Sequence, residues 1–307
     1  MKTVLVTGSA GFIGGHLVDD LLRLGYEVVG VDNMAKGLHS TMDSHIQHPS
    51  FIPAFYDITS ENIEKVFSAH KPKYVFHLAA QPGVTPSMEM PVGSDFINVN
   101  GTVRMLELSA KYGADRFIFS SSSSVYGGSD GTPNSETDTP NPKSPYALQK
   151  LVGEQYCRLY SSHMGLDTAC LRYFNVIGPR QRADSAYAAV LPAFSVCKKN
   201  NIRPTIYGDG LTSRDFCPVE SVVSANILAA EYEVGALRGQ SFNVARGESM
   251  SLLQLCEILD LKEPVFEDER KGDVKHSLAN IDKIKTILGY TPVKNIEAKV
   301  LETAYSY

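Results

Sequence analysis

The 307-residue chain has no tryptophan and no apolar run of about 18 residues, so no stretch of it reads as a membrane-spanning helix. Its five cysteines, at 157, 170, 197, 217 and 256, are scattered, with no CxxC pair and no His/Cys cluster. That spacing argues against a zinc site or a disulfide framework and fits reduced thiols in a cytoplasmic protein. An excess of positive charge is also missing. The 29 Lys and Arg face 34 Asp and Glu, for a formal charge of -5, so a nucleic-acid partner is not expected. The opening MKTVLVTG has one Lys, turns at a glycine and carries no small-residue cleavage site, which does not describe a signal peptide. What remains is 43% hydrophobic and 21% charged, the composition of a soluble globular enzyme with one large domain or two packed ones.

The first forty residues carry a strong pattern. Residues 2–7 form a short apolar strand, continuous enough to be buried on both faces. It runs into Gly8-Ser-Ala-Gly11-Phe-Ile-Gly14, and Ile13, Leu17, Leu21 and Leu24 then recur at helical spacing up to Gly25. EVVGVD is a second strand ending on Asp32, 24 residues after Gly8. Glycines at the first turn of a βαβ unit let the backbone approach a pyrophosphate, and the helix N-terminus supplies N–H groups. Asp32 is placed to accept hydrogen bonds from a ribose diol, and its charge would repel the 2′-phosphate of NADP, so NAD is the expected cofactor.

Residues 33–50 are polar and read as a loop. Their three histidines have no metal-ligand spacing, and no metal is expected. FIPAFYDIT reads as a third strand with Asp57 and Ile58 at its end, followed by a helix over about 60–70. YVFHLAA is a fourth strand in which His77 is a buried structural residue. Residues 97–113 read as an amphipathic helix that Gly101 weakens. RFIFSSSSSVYGG is a strand followed by five serines. Ligands of open α/β sheets sit at the carboxyl ends of strands, so these serines are candidates for holding a substrate hydroxyl. Residues 128–145 are a loop beside that position.

SPYALQKLVGEQY then places Tyr146 and Lys150 four residues apart on one face of a helix. A nearby ammonium favours phenolate, so this pairing suits a tyrosine general base. From Gly178 the alternation loosens into a smaller α+β region. Arg180, Arg182, Arg214 and Arg270 are spread through it, either as solvated surface or as a clamp for an anionic diphosphate.

Taken together, TGSAGFIG, Asp32, YDI, HLAA, NVNGT, FSSSSSVYG, YALQK, LRYFNVIGPRQR, GDGLTSRDF and GDVKHSLAN resemble the extended short-chain dehydrogenase/reductase family, over essentially the whole chain. Within it the chain is most similar to the UDP-hexose 4-epimerases of the UDP-galactose or UDP-N-acetylglucosamine type. The resemblance implies NAD held by Gly8, Gly11, Phe12, Ile13, Gly14, Asp32, Asn33, Asp57, Ile58, Leu78, Ala79, Ala80, Tyr146 and Lys150. It implies a catalytic Ser122, Tyr146 and Lys150. It also implies a UDP-sugar site formed by Ser122, Ser123, Ser124, Asn175, Tyr207, Arg214, Arg270, Asp273 and Ser277. Many UDP-galactose epimerases carry a lysine where this chain has Gln81-Pro82. The 4,6-dehydratases carry an Asp-Glu pair where it has Ser123 and Ser124. UDP-glucuronate epimerases usually have Thr where it has Asn175. The last two departures favour a neutral sugar.

The implied architecture is an α/β, Rossmann-type doubly wound parallel sheet with a smaller C-terminal α+β substrate domain. Its expected boundaries are 1–177, rejoined by about 213–246, for the NAD-binding part, and 178–212 with 247–307 for the smaller part. The implied activity is 4-epimerisation of a UDP-hexose through a 4-ketone. A homodimer built on helices 97–113 and 146–163 is implied as well. A dehydratase or UDP-glucuronate epimerase is the alternative on the same scaffold. A non-catalytic NAD-binding regulator is the alternative of another class, though such proteins tend to lose the tyrosine kept here.

Overall fold

Thr3–Thr7 (β1) buries both of its faces: Val4 and Val6 enter one core and Leu5 the other. The computed structural model that shows this describes residues 2–130, 132–181, 190–269 and 275–307. After β1 come α1 (Phe12–Arg23), β2 (Glu27–Val31), α2 (His39–Ile46), β3 (Phe51–Ala54), α3 (Glu64–His70) and β4 (Tyr74–His77). Two short helices follow, α4 (Val84–Glu89) and α5 (Pro91–Asp95), then a π turn at Phe96–Asn100 that leads into α6 (Gly101–Lys111). Next are β5 (Arg116–Ser122), a 3-10 turn at Ser123–Tyr126, α7 (Pro145–His163), β6 (Asp167–Tyr173) and β7 (Val176–Ile177). The remainder is α8 (Val190–Asn200), β8 (Thr205–Tyr207), β9 (Ser213–Arg214), β10 (Cys217–Pro218), α9 (Val219–Glu231), β11 (Gln240–Val244), β12 (Met250–Ser251), α10 (Leu252–Ile258), β13 (Val265–Glu267), β14 (His276–Ser277), α11 (Asp282–Leu288) and α12 (Ile296–Tyr305).

Seven strands form one all-parallel sheet in the order β11-β6-β5-β4-β1-β2-β3, a Rossmann-type doubly wound arrangement. The strand order reverses between β1 and β4, and the crevice at such a reversal is where these sheets hold ligands. Helices α1 and α9 belong to the core on one face, while α3, α6 and α7 pack on the other. A third core, built from Ile177, Leu191, Phe194, Ile206, Phe216, Leu255 and Val300 among others, belongs to the smaller region. Residues 279–290 do not join it. Ala279, Ile281, Ile284, Leu288 and Tyr290 pack with the large sheet instead, so the smaller region is not one continuous stretch to the C-terminus.

Two local readings differ from the structure, at 39–46 and at the end of β3. Residues 39–46 are helical, not loop, and α2 buries Thr41, Met42 and His45. His45 is 3% exposed and bonds Asp19 of α1 at 2.7 Å, so it is a packed residue with a carboxylate partner. A helix that buries a threonine and a histidine shows no apolar stripe, which is why its period is invisible in sequence. β3 stops at Ala54, leaving Asp57 and Ile58 in the turn beyond it. The helices over 84–95 fill a stretch that offered no pattern, and Gly101 marks a close contact: a Cβ there would lie 2.6 Å from Ile58 Cδ1.

Candidate active site

The turn after β1 is shaped by missing side chains. Gly8 has φ of 72°, and a Cβ on it would lie 3.0 Å from the Ala79 nitrogen. A Cβ on Gly14 would overlap the Gly8 carbonyl oxygen. Gly11 is the N-cap of α1 and offers no side-chain acceptor, so the first-turn N–H groups stay available to an anion. Phe12 and Ile13 open α1 and pack on the core behind the turn.

Asp32, at the end of β2 and 8% exposed, braces this turn. One carboxylate oxygen accepts the Ala10 N–H at 3.0 Å and the other the Met34 N–H at 2.8 Å. Each oxygen keeps a further lone pair for a ligand hydroxyl. Asn33 donates to Asp57 at 2.8 Å, joining the ends of β2 and β3. Burial alone would raise the Asp57 carboxyl, but the Thr59 hydroxyl and N–H and the Asn33 amide hold it below the usual range. Ile58 is buried beside it.

Leu78, Ala79 and Ala80 follow β4 and form the opposite lip of the crevice. The Thr7 hydroxyl accepts the N–H groups of Leu78 and Ala79 at 3.1 and 3.0 Å and lies 2.9 Å from His77 Nδ1. Thr102 gives its hydroxyl proton to the Asn98 carbonyl, so His77 Nε2, 3.0 Å away, must donate to Thr102. His77 Nδ1 is then the acceptor for Thr7. Burial, with the Lys150 charge adding to it, pushes this imidazole down to about 3, so it stays neutral as the relay requires.

Ser122, Tyr146 and Lys150 meet at the carboxyl end of β5. Ser144 caps α7, accepting the Ala147 N–H at 3.2 Å, and Pro145 opens the helix, which fixes where Tyr146 emerges. Burial pushes the Tyr146 phenol above its ordinary 10, and a hydrogen bond with Ser122 pulls it part of the way back. Ser122 Oγ also accepts the Ser124 N–H at 3.2 Å, which orients the 3-10 turn. Among the described residues the buried Ser124 hydroxyl has no partner, and Ser123 lies in the same turn.

Lys150 is held from the strand side. Its Nζ donates to the Ser120 carbonyl at 2.7 Å and sits over the Phe119 ring, 5.0 Å from the centroid, and 5.8 Å from the Tyr146 centroid. It faces ring surfaces, while burial and Ser122 set the direction of the tyrosine's shift. Burial, opposed by Cys157 and Glu154, lowers the amine itself to about 8.

Beyond the sheet, Asn175 stands two residues past Tyr173, the register partner of Ser122. Its amide donates to the Ser277 hydroxyl at 3.0 Å and to the Asp215 carbonyl at 3.2 Å. Ser277 pairs with Arg214 in the β12-β9-β14 sheet, which brings Asn175, Arg214 and Ser277 together. Tyr207 is on β8, in the separate two-stranded sheet with β13. Arg180 pairs with Asp19 of α1 at 2.7 Å. Arg182, Arg270 and Asp273 lie outside the described residues.

The family model described as the NAD dependent epimerase/dehydratase family matches residues 4–245. The chain belongs to that family, and NAD is its cofactor. UDP-glucose 4-epimerase of Mycolicibacterium smegmatis is 36% identical over 298 residues, which cover 95% of this chain and 94% of the relative. Among solved structures, UDP-N-acetylglucosamine 4-epimerase from Methanobrevibacter ruminantium in complex with UDP-N-acetylmuramic acid is similar, with a TM-score of 0.92 and 36% identity, covering 99% of this chain and 97% of that one. UDP-glucuronic acid 4-epimerase from Bacillus cereus in complex with UDP-glucuronic acid and NAD has a TM-score of 0.90 and 31% identity, covering 99% and 98%.

The residues of this epimerase/dehydratase family chain fit a dinucleotide. The glycine turn is a cradle that any Cβ would fill, an uncapped helix N-terminus adjoins it, and a braced carboxylate ends the neighbouring strand β2. Several residues that build the site were not legible beforehand. Thr7 and His77 set the β4 lip. Asn98, in the π turn, exchanges hydrogen bonds with the Gln81 backbone at 2.8 and 3.0 Å and donates to Gln149 of α7 at 2.8 Å. Asp215 is fully buried and accepts the N–H groups of Arg246, Gly247 and Ala279. Burial nonetheless lifts its carboxyl to about 6, against those three bonds. The signal for Asn98 was a polar residue at an inward position of an amphipathic helix, one turn before Gly101.

Proposed function

We propose that the chain is a UDP-sugar 4-epimerase, with Ser122, Tyr146 and Lys150 as its catalytic residues and UDP-N-acetylglucosamine and UDP-N-acetylgalactosamine as its preferred pair. The observation that carries the reading is the meeting of Ser122 at the end of β5 with Tyr146 at the start of α7, with Lys150 buried on Ser120, at the strand ends beside the glycine cradle. Bound NAD supplies the hydride acceptor and donor of the reaction. Tyr146 takes the proton from the sugar 4-hydroxyl as the C4–H bond is broken, and Ser122 holds that oxygen. Ser124, with its unpartnered buried hydroxyl, is a second contact for the sugar. The 4-keto sugar would turn about its diphosphate link to present its other face, and Tyr146 would return the proton to the 4-oxygen. Lys150, anchored on Ser120, binds the nicotinamide ribose.

In this reading Asn175, Arg214, Arg270 and Asp273 are the residues for the UDP diphosphate and ribose, Tyr207 is the aromatic for the uracil, and Ser277 borders the sugar. Parts 178–212 and 247–307 supply most of this wall. In this reading the molecule works as a homodimer through the helices over 97–113 and 146–163. Asn175 and the serines at 123 and 124 favour a neutral sugar and no water elimination. Ser277 is small where a tyrosine would close the space beside the sugar's 2-substituent.

The test is product analysis with UDP-glucose, UDP-N-acetylglucosamine and UDP-glucuronate. The C4 epimer should form fastest from the acetylated sugar. Ser277→Tyr should slow that reaction about 5- to 150-fold, the effect of overfilling a packed pocket, and spare UDP-galactose. A 4-keto-6-deoxy product, or no turnover at all, would overturn the epimerase assignment. Equal losses on both sugar pairs would overturn the role of Ser277 alone.

A further inference from the structure

The proposed epimerase reaction leaves one charged cleft unused. It lies on the outer edge of β11, the terminal strand of the sheet, and has a volume of about 130 Å³. Arg158 of α7, Arg172 of β6, Arg238 and Lys283 of α11 line it, with Glu136 and Ser241. Arg158 is eight residues past Lys150, so the cleft is about 12 Å further along α7 at 1.5 Å per residue. We propose that this cleft is a binding site for one dianionic phosphate group, either inorganic phosphate or the phosphate of a monoester.

The geometry is built for an oxyanion. Arg172 is 3% exposed, and its guanidinium is clamped by both oxygens of Glu154, at 2.9 and 2.7 Å, and by the Tyr126 hydroxyl at 2.8 Å. Among the described residues three of its five donors are thus committed, and its position is fixed in advance. Lys283 is held by the Ser241 carbonyl at 2.8 Å and stands over the Phe242 ring. Gly239 allows β11 to start against α7: a Cβ on it would lie 2.5 Å from Arg158 Cα. That approach gathers Arg158 and Arg238 at the same mouth.

The charges do not cancel. Four cations face Glu136 and the already paired Glu154, an excess of two positive charges in a chain of net -5. Glu136 is itself fixed on the strand, accepting the Asn243 N–H at 2.8 Å, so it cannot swing across to neutralise the others. Because Asn243 N–H and Ser241 C=O both point away from β6, strand parity turns the Ser241 N–H outwards as well, a backbone donor facing the cleft. Burial lowers the Lys283 amine, Glu136 opposes this, and Arg172 and Arg158 lower it further, the mark of crowded like charges that an anion would relieve. The cleft has room for one phosphate group. Forked guanidinium donors suit its tetrahedral oxygens.

The experiment is calorimetric titration of the NAD-loaded protein, saturated with UDP, with sodium phosphate against chloride at equal ionic strength. One saturable site is expected. The surface variants Arg158→Ala and Arg238→Ala should each weaken it about 10-fold or more, the worth of one charge-assisted hydrogen bond, while epimerase turnover stays unchanged. Glu136→Gln should tighten it. Titration with glycerol 3-phosphate separates the two sources: tighter binding than phosphate assigns a monoester, weaker binding assigns the free ion. No saturation by about 10 mM phosphate, or binding that survives both arginine variants, would overturn the site.

Discussion

Lys150 concentrates the conflict between fold and function in one side chain. An ammonium that titrates near 10.4 in an unfolded chain is lowered to about 8 in the fold, so its charged form is disfavoured by burial. The sign follows directly. Between pH 8 and about 10.5 the unfolded state holds the extra proton, and stability rises with pH; below pH 8 the fold carries the whole cost. That cost is up to about 3 kcal/mol, offset by about 1 kcal/mol for the bond to Ser120. Lys150→Met should therefore stabilise the cofactor-free protein by about 2 kcal/mol at pH 7 while abolishing turnover. Urea unfolding at pH 7 and pH 10.5 checks it, and the gain should vanish at the higher pH. Tyr146 makes the companion case. Its phenol is pushed above 10 when the site holds no cofactor, so wild-type minus Tyr146→Phe absorbance should show no phenolate below pH 10 in cofactor-free protein. Tyr146→Phe should lower turnover of the loaded enzyme about 10²- to 10⁴-fold with UDP-sugar affinity kept. A variant turning over at the wild-type rate would remove Tyr146 from the reaction.

At the scale of elements, α7 and β5 are set by their closest contact. Gly153 faces Phe119, and a Cβ on it would collide with the ring that supports Lys150. Gly153→Ala gains up to about 1 kcal/mol of helix propensity. It must also move a ring that is 1% exposed and stacked on His77, an overpacking cost of about 1–3 kcal/mol. The net effect should be a lower midpoint of thermal unfolding, with turnover falling more than stability alone explains; a stabilised, fully active variant would show that the ring yields freely. The same contrast explains what was legible. β1, α1 and β2 announce themselves because burial on a parallel sheet leaves continuous apolar runs and an apolar helix stripe. Ser122, Tyr146 and the glycine turn stood out because their chemistry needs those residue types at those spacings. α2 did not, because it packs through Thr41, Met42 and His45, nor did the 84–95 helices, which leave Val84, Met88 and Val92 to solvent. The direction of the Lys150 amine was equally hidden. Two residues four apart share a helix face, but only the neighbouring strand decides that Nζ turns to Ser120.

For the whole molecule, the solvent-facing apolar residues are unevenly spread. Met88 on α4, Val92 on α5, Phe96 in the π turn and Leu148 on α7 are 59%, 83%, 55% and 52% exposed, and these elements pack against one another. We read them as one apolar face on the side of α7, the helix that carries Tyr146 and Lys150. A large exposed apolar patch on a protein surface marks an interaction site. If the face closes on a second copy about a two-fold axis, each residue is buried twice, once from each side. Substituting a buried anchor commonly costs 2 kcal/mol or more per copy, so a single change costs the dimer about 4 kcal/mol, roughly a thousandfold in its dissociation constant. The wild type should therefore sediment at twice 33.6 kDa at micromolar concentration. Phe96→Asp should shift it to monomer over the same range with its circular dichroism unchanged, because the side chain is solvent-facing within one chain. Tyr146 begins α7 with its N–H on the Ser87 hydroxyl of α4 at 3.1 Å, so the face and the candidate site share a wall. Monomeric Phe96→Asp should then lose turnover and recover it at concentrations high enough to restore the dimer. A wild type that sediments at 33.6 kDa would dismiss the dimer, and a monomeric variant with full turnover would dismiss its link to the site.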